Sequence, residues 1–151
     1  MEQGQSLSDL HSDGMQLLHA TSVACHGKAV LIQGRSGAGK SALALQLITL
    51  GGVLVADDRT QLWQGHTSLM VDAPDRLRGL IEARGVGILR AVPAGPTPLA
   101  LVVDLDVLET DRLPERHETM LLGQSVPLLR GVSEPHFAPA ILQLLAHGRE
   151  A

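Results

Sequence analysis

Hydrophobic positions in this chain fall in short, nearly continuous runs broken by glycine, proline or charge, and most of these runs predict strands. "LLHATSVAC" is strand-like, "HGK" turns through Gly27, and "AVLIQ" is short, apolar and β-branched, so together they predict a hairpin. "SALALQLITL", from Ser41 to Leu50, is helix material, apolar nearly all round and stopped by Gly51 and Gly52; such a helix is expected to lie deep. "VLVAD" is the next strand, and "QLWQGHTSLMVD" predicts two short strands turning at Gly65. Pro74 stands at a helix start, with "DRLRGLIEAR" continuing the helix until Gly85 and Gly87 interrupt before "ILRAV". "PAGPTP" is a stiff loop and "LALVVDLDVL" an aliphatic strand, continuous up to Asp104. "ETDRLPERHE" is charged and exposed, "SVPLL" a last strand and "APAILQLLAH" a closing helix. Strands outnumber helices, so the expected class is α/β: a mixed sheet with flanking helices and some antiparallel pairing, not strict βαβ alternation.

Composition adds limits. The chain has 151 residues, enough for one domain with a single core. Its residues are 44% hydrophobic, yet it has one Phe, one Trp and no Tyr, so the core is expected to be Leu, Val, Ile and Ala packed on both faces of a sheet. Residues 1–14 are polar and are expected to form a loose leader, with the domain proper over residues 15–151. A net charge of -4 and the lack of any Lys/Arg block argue against nucleic acid as a partner. The lone Cys25 has no internal disulfide partner, no secretory signal opens the chain, and no apolar run reaches the roughly 20 residues of a membrane span. A soluble, cytoplasmic protein is the expectation.

The chemistry enters at "GRSGAGKS". Gly34, Arg35, Ser36, Gly37, Ala38, Gly39, Lys40 and Ser41 match the phosphate-loop pattern G-x-x-x-x-G-K-[ST] in full, between an apolar strand and a helix, the context that its mechanism requires. The glycines let successive N–H groups point inward, the helix N-terminus adds partial positive charge, Lys40 reaches the β- and γ-phosphates, and Ser41 binds Mg²⁺. Only two lysines occur, Lys28 and Lys40, so a casually solvated lysine is a poor alternative explanation.

Asp57 and Asp58 follow the next strand. Adjacent carboxylates repel, and partial burial adds desolvation, so the pair costs free energy unless something uses it. If the strand stays regular, Asp57 shares a face with Val53 and Val55, and Asp58 with Leu54 and Ala56, which gives the two acids different jobs. In phosphate-loop proteins a carboxylate at the end of a neighbouring strand commonly faces the metal or the attacking group. The plain alternative is a polar strand end bonding its own backbone N–H groups.

Taken in order, "LHATSV", "GRSGAGKSALALQL", "GGVLVADDRTQL", "APDRLRGLIEARGVGIL", "LVVDL" and "DRL" resemble the HPr kinase/phosphorylase family, over most of Leu18 to Leu129. The resemblance implies the fold of that family's C-terminal catalytic domain, which is similar to PEP carboxykinase. It also implies an ATP- and Mg²⁺-dependent kinase of the serine/threonine type, with a regulatory role, acting on a serine of an HPr-like phosphocarrier of a phosphotransferase system. Residue by residue, it puts the catalytic base at Asp58, with Asp57 a supporting acid, Mg²⁺ ligands at Ser41 and Glu82, the active-site histidine at His19 and the catalytic arginine at Arg112. Read without the family, His19 is one histidine on a strand and Arg112 one charge on a solvated loop.

Common members of that family carry an N-terminal domain, so the chain looks like a short form, and the homo-oligomer implied by the resemblance is an expectation on the same footing. The family's Pro-Val-Arg-Pro-Gly-Arg-Asn-like segment, tied to the reverse reaction, corresponds here to "PLLRGVSEPHF", so transfer is expected to run mainly in the kinase direction. Two other readings compete: a small-metabolite kinase, for which "RAVPAGPTP" is an arginine-poor lid, and a non-catalytic ATP sensor.

Overall fold

Apolar alternation makes the first hairpin. "TSVAC" and "KAVLIQ" form β2 (Thr21–Cys25) and β3 (Lys28–Gln33), paired antiparallel through a turn at His26 and Gly27. The protein's structure, a computed structural model, describes residues 14–151, so the leader expected over residues 1–14 lies, apart from Gly14, outside the described residues. Around the hairpin are β1 (Gln16–Leu18), β4 (Val53–Ala56), β5 (Thr60–Gln64), β6 (Leu69–Asp72), β9 (Thr97–Leu108), β10 (His117–Leu121) and β11 (Gln124–Gly131). They form one nine-stranded mixed sheet whose main path runs β1-β5-β6-β9-β3-β2-β4. The long β9 is its spine: parallel to β3 and to β11, and antiparallel to β6 where it begins.

Period-two alternation gives the two faces different partners. Val30 and Ile32 of β3 point toward α1 (Lys40–Thr49) and α2 (Phe137–His147), where they join Leu43, Leu47, Phe137 and Ile141 in one buried cluster. Ala29 and Leu31 point the other way, into a second cluster with Val55, Leu62, Leu69, Val71 and Val102. Cys25 is buried at the helix side, and burial pushes its thiol up to about 11, which keeps it protonated and unreactive at neutral pH.

Several expected elements differ in the structure. α1 buries Leu43, Ala44 and Leu47, but Ala42, Gln46 and Thr49 face solvent, so one side of the helix is covered and not the whole of it. The helix expected after Pro74 is only a 3₁₀ turn, Asp75–Leu77. Arg78 grips the buried Asp72 carboxylate with two nitrogens, at 2.7 and 3.2 Å, and Gly79 follows with φ 75°, a conformation that ends helical winding. The chain then forms a separate hairpin of β7 (Leu80–Ala83) and β8 (Gly87–Arg90). "LLHATSVAC" splits at His19, because β1 pairs with β5 while β2 pairs with β3 and β4. β10 emerges from a stretch that its charge made look like loop; pairing with β11 supplies what its propensity lacks.

The chain turns from α1 into β4 at Gly52, where a Cβ would stand 2.8 Å from Val23 Cγ1 and 2.9 Å from the Leu47 carbonyl oxygen. Gly52→Ala is therefore expected to cost about 1–3 kcal/mol by overpacking, checked by urea unfolding of the variant against the unaltered protein.

Candidate active site

The loop between β3 and α1 has the backbone that its sequence requires. Gly37 and Gly39 have φ of 86° and 102°, and Gly39 stands at the N-cap of α1 with no side-chain cap. At Gly34 a Cβ would meet Ala38 Cβ at 2.9 Å and Leu105 Cβ at 3.3 Å, so the loop closes too tightly for a larger residue. No acidic residue lies in the first turn of α1, which leaves its N–H groups and partial positive charge uncancelled. Lys40 is buried, and its ammonium donates to the carbonyls of Gly34 (2.7 Å) and Arg35 (3.2 Å), which holds it across the loop. The Asp106 carboxylate on β9 accepts the Arg35 N–H at 3.0 Å and so ties the loop to the sheet.

Sheet register brings the acid pair to this loop. β2 pairs with β4 with Ser22 opposite Ala56, which sets Asp57 beside Thr21. β1 pairs with β5 with Leu18 opposite Thr60, which brings His19 toward Asp58. Asp57 Oδ1 accepts from the Ser41 hydroxyl (2.7 Å) and the Thr21 hydroxyl (3.0 Å), and Oδ2 accepts from the Glu82 N–H (2.9 Å). One carboxylate thus joins the start of α1, β2 and the β7–β8 hairpin.

The strand does not stay regular past Ala56, so face alternation does not decide where the acids point. Asp58 has φ 68°, and the Arg59 N–H bonds back to the Asp57 carbonyl at 2.8 Å, which makes a tight turn around it. Asp58 Oδ1 lies 2.6 Å from His19 Nε2, in a pair exposed by 60% and 55%. The Asp58 N–H is capped by Thr21 Oγ1 at 3.1 Å.

These elements enclose a cavity of about 540 Å³, bordered by Ser36, Gly37, Gly39, Lys40 and Ser41 on one side and by Asp58, Glu82 and Arg84 on the other. Among the described residues no group of three His, Cys, Asp or Glu side chains is arranged to hold a metal by itself. The Ser41 hydroxyl and the Glu82 carboxylate on this cavity are the sparse oxygen set that would suit Mg²⁺ when substrate phosphates supply further ligands. Arg112 is not brought to the cavity: it is exposed on the loop between β9 and β10. Thr21 and Asp106 are contributors that sequence reasoning passed over. Thr21 had only a partial signal, one of two adjacent hydroxyls that open a strand two residues after His19, whereas nothing in "DLD" distinguishes Asp106 from any acid at a strand end.

Residues 13–94, more than half of the chain, match the family model described as the HPr Serine kinase C-terminal domain. The chain is 37% identical over 128 residues to the HPr kinase/phosphorylase of Exiguobacterium sp., a match covering 76% of this chain and 41% of that protein. It is 46% identical over 72 residues to that of Caldicellulosiruptor bescii, covering 47% of this chain and 23% of the relative. The chain thus spans well under half the length of these curated relatives. The solved structure of the Hpr(Ser) kinase/phosphatase from Coxiella burnetii is similar with a TM-score of 0.72 and 27% identity, over 87% of this chain and 88% of that one. No helix among the described residues is long and apolar enough to cross a membrane.

The two aspartates are expected to differ in stability. Asp57→Ala leaves two hydroxyls and an N–H without their acceptor and should cost about 2–3 kcal/mol. Asp58→Ala removes exposed pairs with His19 and Arg59 and should cost about 1 kcal/mol or less. Denaturant unfolding of both variants checks the ranking.

Proposed function

The chain belongs to the HPr serine kinase C-terminal domain family, and on that premise we propose that it is an ATP- and Mg²⁺-dependent kinase that phosphorylates a serine of an HPr-like phosphocarrier protein of a phosphotransferase system. The observation that carries this reading is the shared cavity, in which the loop residues Lys40 and Ser41 and the acids Asp58 and Glu82 border one space. The role is regulatory, since a phosphoserine on a carrier alters its traffic without being the group it carries.

The loop N–H groups and the N-terminus of α1 bind the phosphates, and Lys40, already held at the loop, meets the β- and γ-phosphate oxygens where transferred charge builds up. Ser41 and Glu82 would hold Mg²⁺, which would supply charge neutralisation for the nucleotide's phosphates. Asp57 orients both of these residues, through the Ser41 hydroxyl and the Glu82 N–H. Asp58 takes the proton of the attacking serine, and His19 fixes the orientation of its carboxylate. Arg112 belongs to the proposal on the family's pattern alone.

The direction is mainly forward. Phosphate-driven removal of phosphoserine requires cationic or N–H donors for a second anion, and the segment concerned retains Arg130 and Gly131 but adds the exposed Glu134. Arg130 also lies near Glu109, whose carboxyl is held below the usual range by the N–H groups of Asp111 and Thr110, by His117 and by that arginine. Assembly into a homo-oligomer is part of the same reading.

The test is incubation with ATP, Mg²⁺ and HPr-like carriers, followed by phosphosite mapping. One phosphoserine on the carrier is expected. Lys40→Ala is expected to abolish transfer, and Asp58→Asn to slow it by about a hundredfold or more while nucleotide binding persists. Phosphorylation of a small metabolite instead, or ATP binding without transfer to any acceptor, would overturn the reading in favour of a metabolite kinase or an ATP sensor.

A further inference from the structure

Among the described residues three that are not glycine have positive φ: His26, Asp58 and Leu122. His26 and Leu122 each precede a glycine in a two-residue hairpin turn, between β2 and β3 and between β10 and β11, where that conformation is what the turn needs. Asp58 has no such hairpin around it. Its turn is closed only by the Arg59 N–H reaching back to the Asp57 carbonyl, an i to i+2 bond of the rare and strained kind when the central φ is positive. Something outside the turn must hold it.

The outside contact is Thr21. Its side chain is fully buried, and its single hydroxyl makes two bonds at once, accepting from the Asp58 N–H at 3.1 Å and donating to Asp57 Oδ1 at 3.0 Å. The donation fixes where the hydroxyl proton lies, which leaves a lone pair aimed at the Asp58 amide. A neighbouring pair of buried hydroxyls does nothing comparable: Thr60 Oγ1 donates to the Ala20 carbonyl at 2.9 Å and lies 3.0 Å from Ser22 Oγ, touching neither aspartate. We propose that Thr21 is the positioning residue of the acid pair: its hydroxyl clamps the strained turn that aims the Asp58 carboxylate at His19 and the cavity, and at the same time steers Asp57 onto Ser41. The kinetic consequence rests on the reading of Asp58 as the proton acceptor. The structural consequence does not.

Thr21→Val removes the hydroxyl at nearly constant volume, Thr21→Ser restores it, and Thr60→Val removes a hydroxyl that is equally buried but has no aspartate partner. Amide hydrogen exchange is measured first. In Thr21→Val the Asp58 amide should exchange at least about tenfold faster than in the unaltered protein, while Thr21→Ser and Thr60→Val leave it within about threefold. Transfer from ATP to the carrier is measured second. Thr21→Val should lower kcat by about tenfold or more with the nucleotide KM within about twofold, Thr21→Ser should recover most of that loss, and Thr60→Val should show none of it. An Asp58 amide unchanged in Thr21→Val overturns the inference, as does an equal kcat loss in Thr21→Val and Thr60→Val. If the unaltered protein transfers nothing to a carrier, the proposed function fails, and the exchange measurement alone decides the role of Thr21.

Discussion

The Asp57 carboxylate is the contact on which the rest of the site depends. A half-buried carboxylate is costly unless donors replace the water it loses, and here the donors come from three places distant in sequence: Ser41 at the start of α1, Thr21 on β2 and the backbone of Glu82 on β7. Satisfying one acid therefore forces three elements together. The β7–β8 hairpin is not paired to the main sheet; Ile81, buried beside α1, and the bond from Glu82 N–H to Asp57 together hold its carboxylate-bearing strand near the loop between β3 and α1.

Asp58 then has the freedom that Asp57 lacks. Its carboxylate is half exposed and, among the described residues, paired only with His19 and, at 3.9 Å, with Arg59, contacts worth about 1 kcal/mol or less at such exposure. In the proposed reading Asp58 receives the proton and Asp57 holds the scaffold, and the looser contacts of the first and the three donors on the second suit those roles. Adjacent acids with opposite degrees of confinement serve both needs, and the strained turn at Asp58 is the local cost of placing them one residue apart.

Much of this was legible in the chain itself. The tight glycine loop between β3 and α1 was readable because its sequence pattern fixes residue type at fixed spacing, and the main strands because aliphatic runs such as "LALVVDLDVL" suit a sheet buried on both faces. That Asp57 and Asp58 make different contacts was legible, but their directions were not, since the face argument needed a regular strand and β4 stops at Ala56. The helix expected after Pro74 failed because the ion pair of Arg78 with Asp72 and the positive φ of Gly79 outweigh local helix propensity. Arg112 shows the limit of pattern matching: its place in "DRL" says nothing about which way an exposed loop presents it. Thr21 and Asp106 escaped notice because their partners are 36 and 71 residues away, and no local rule joins them.

The most direct test of the Asp57 junction is a double-mutant cycle on stability, with Asp57→Ala and Ser41→Ala made singly and together and each unfolded in urea. If the carboxylate joins the phosphate loop to the end of β4, the two losses should not add, and the coupling should be about 1 kcal/mol or more. Simple additivity within about 0.3 kcal/mol would contradict the junction, because it would mean that Ser41 and Asp57 contribute to the fold independently.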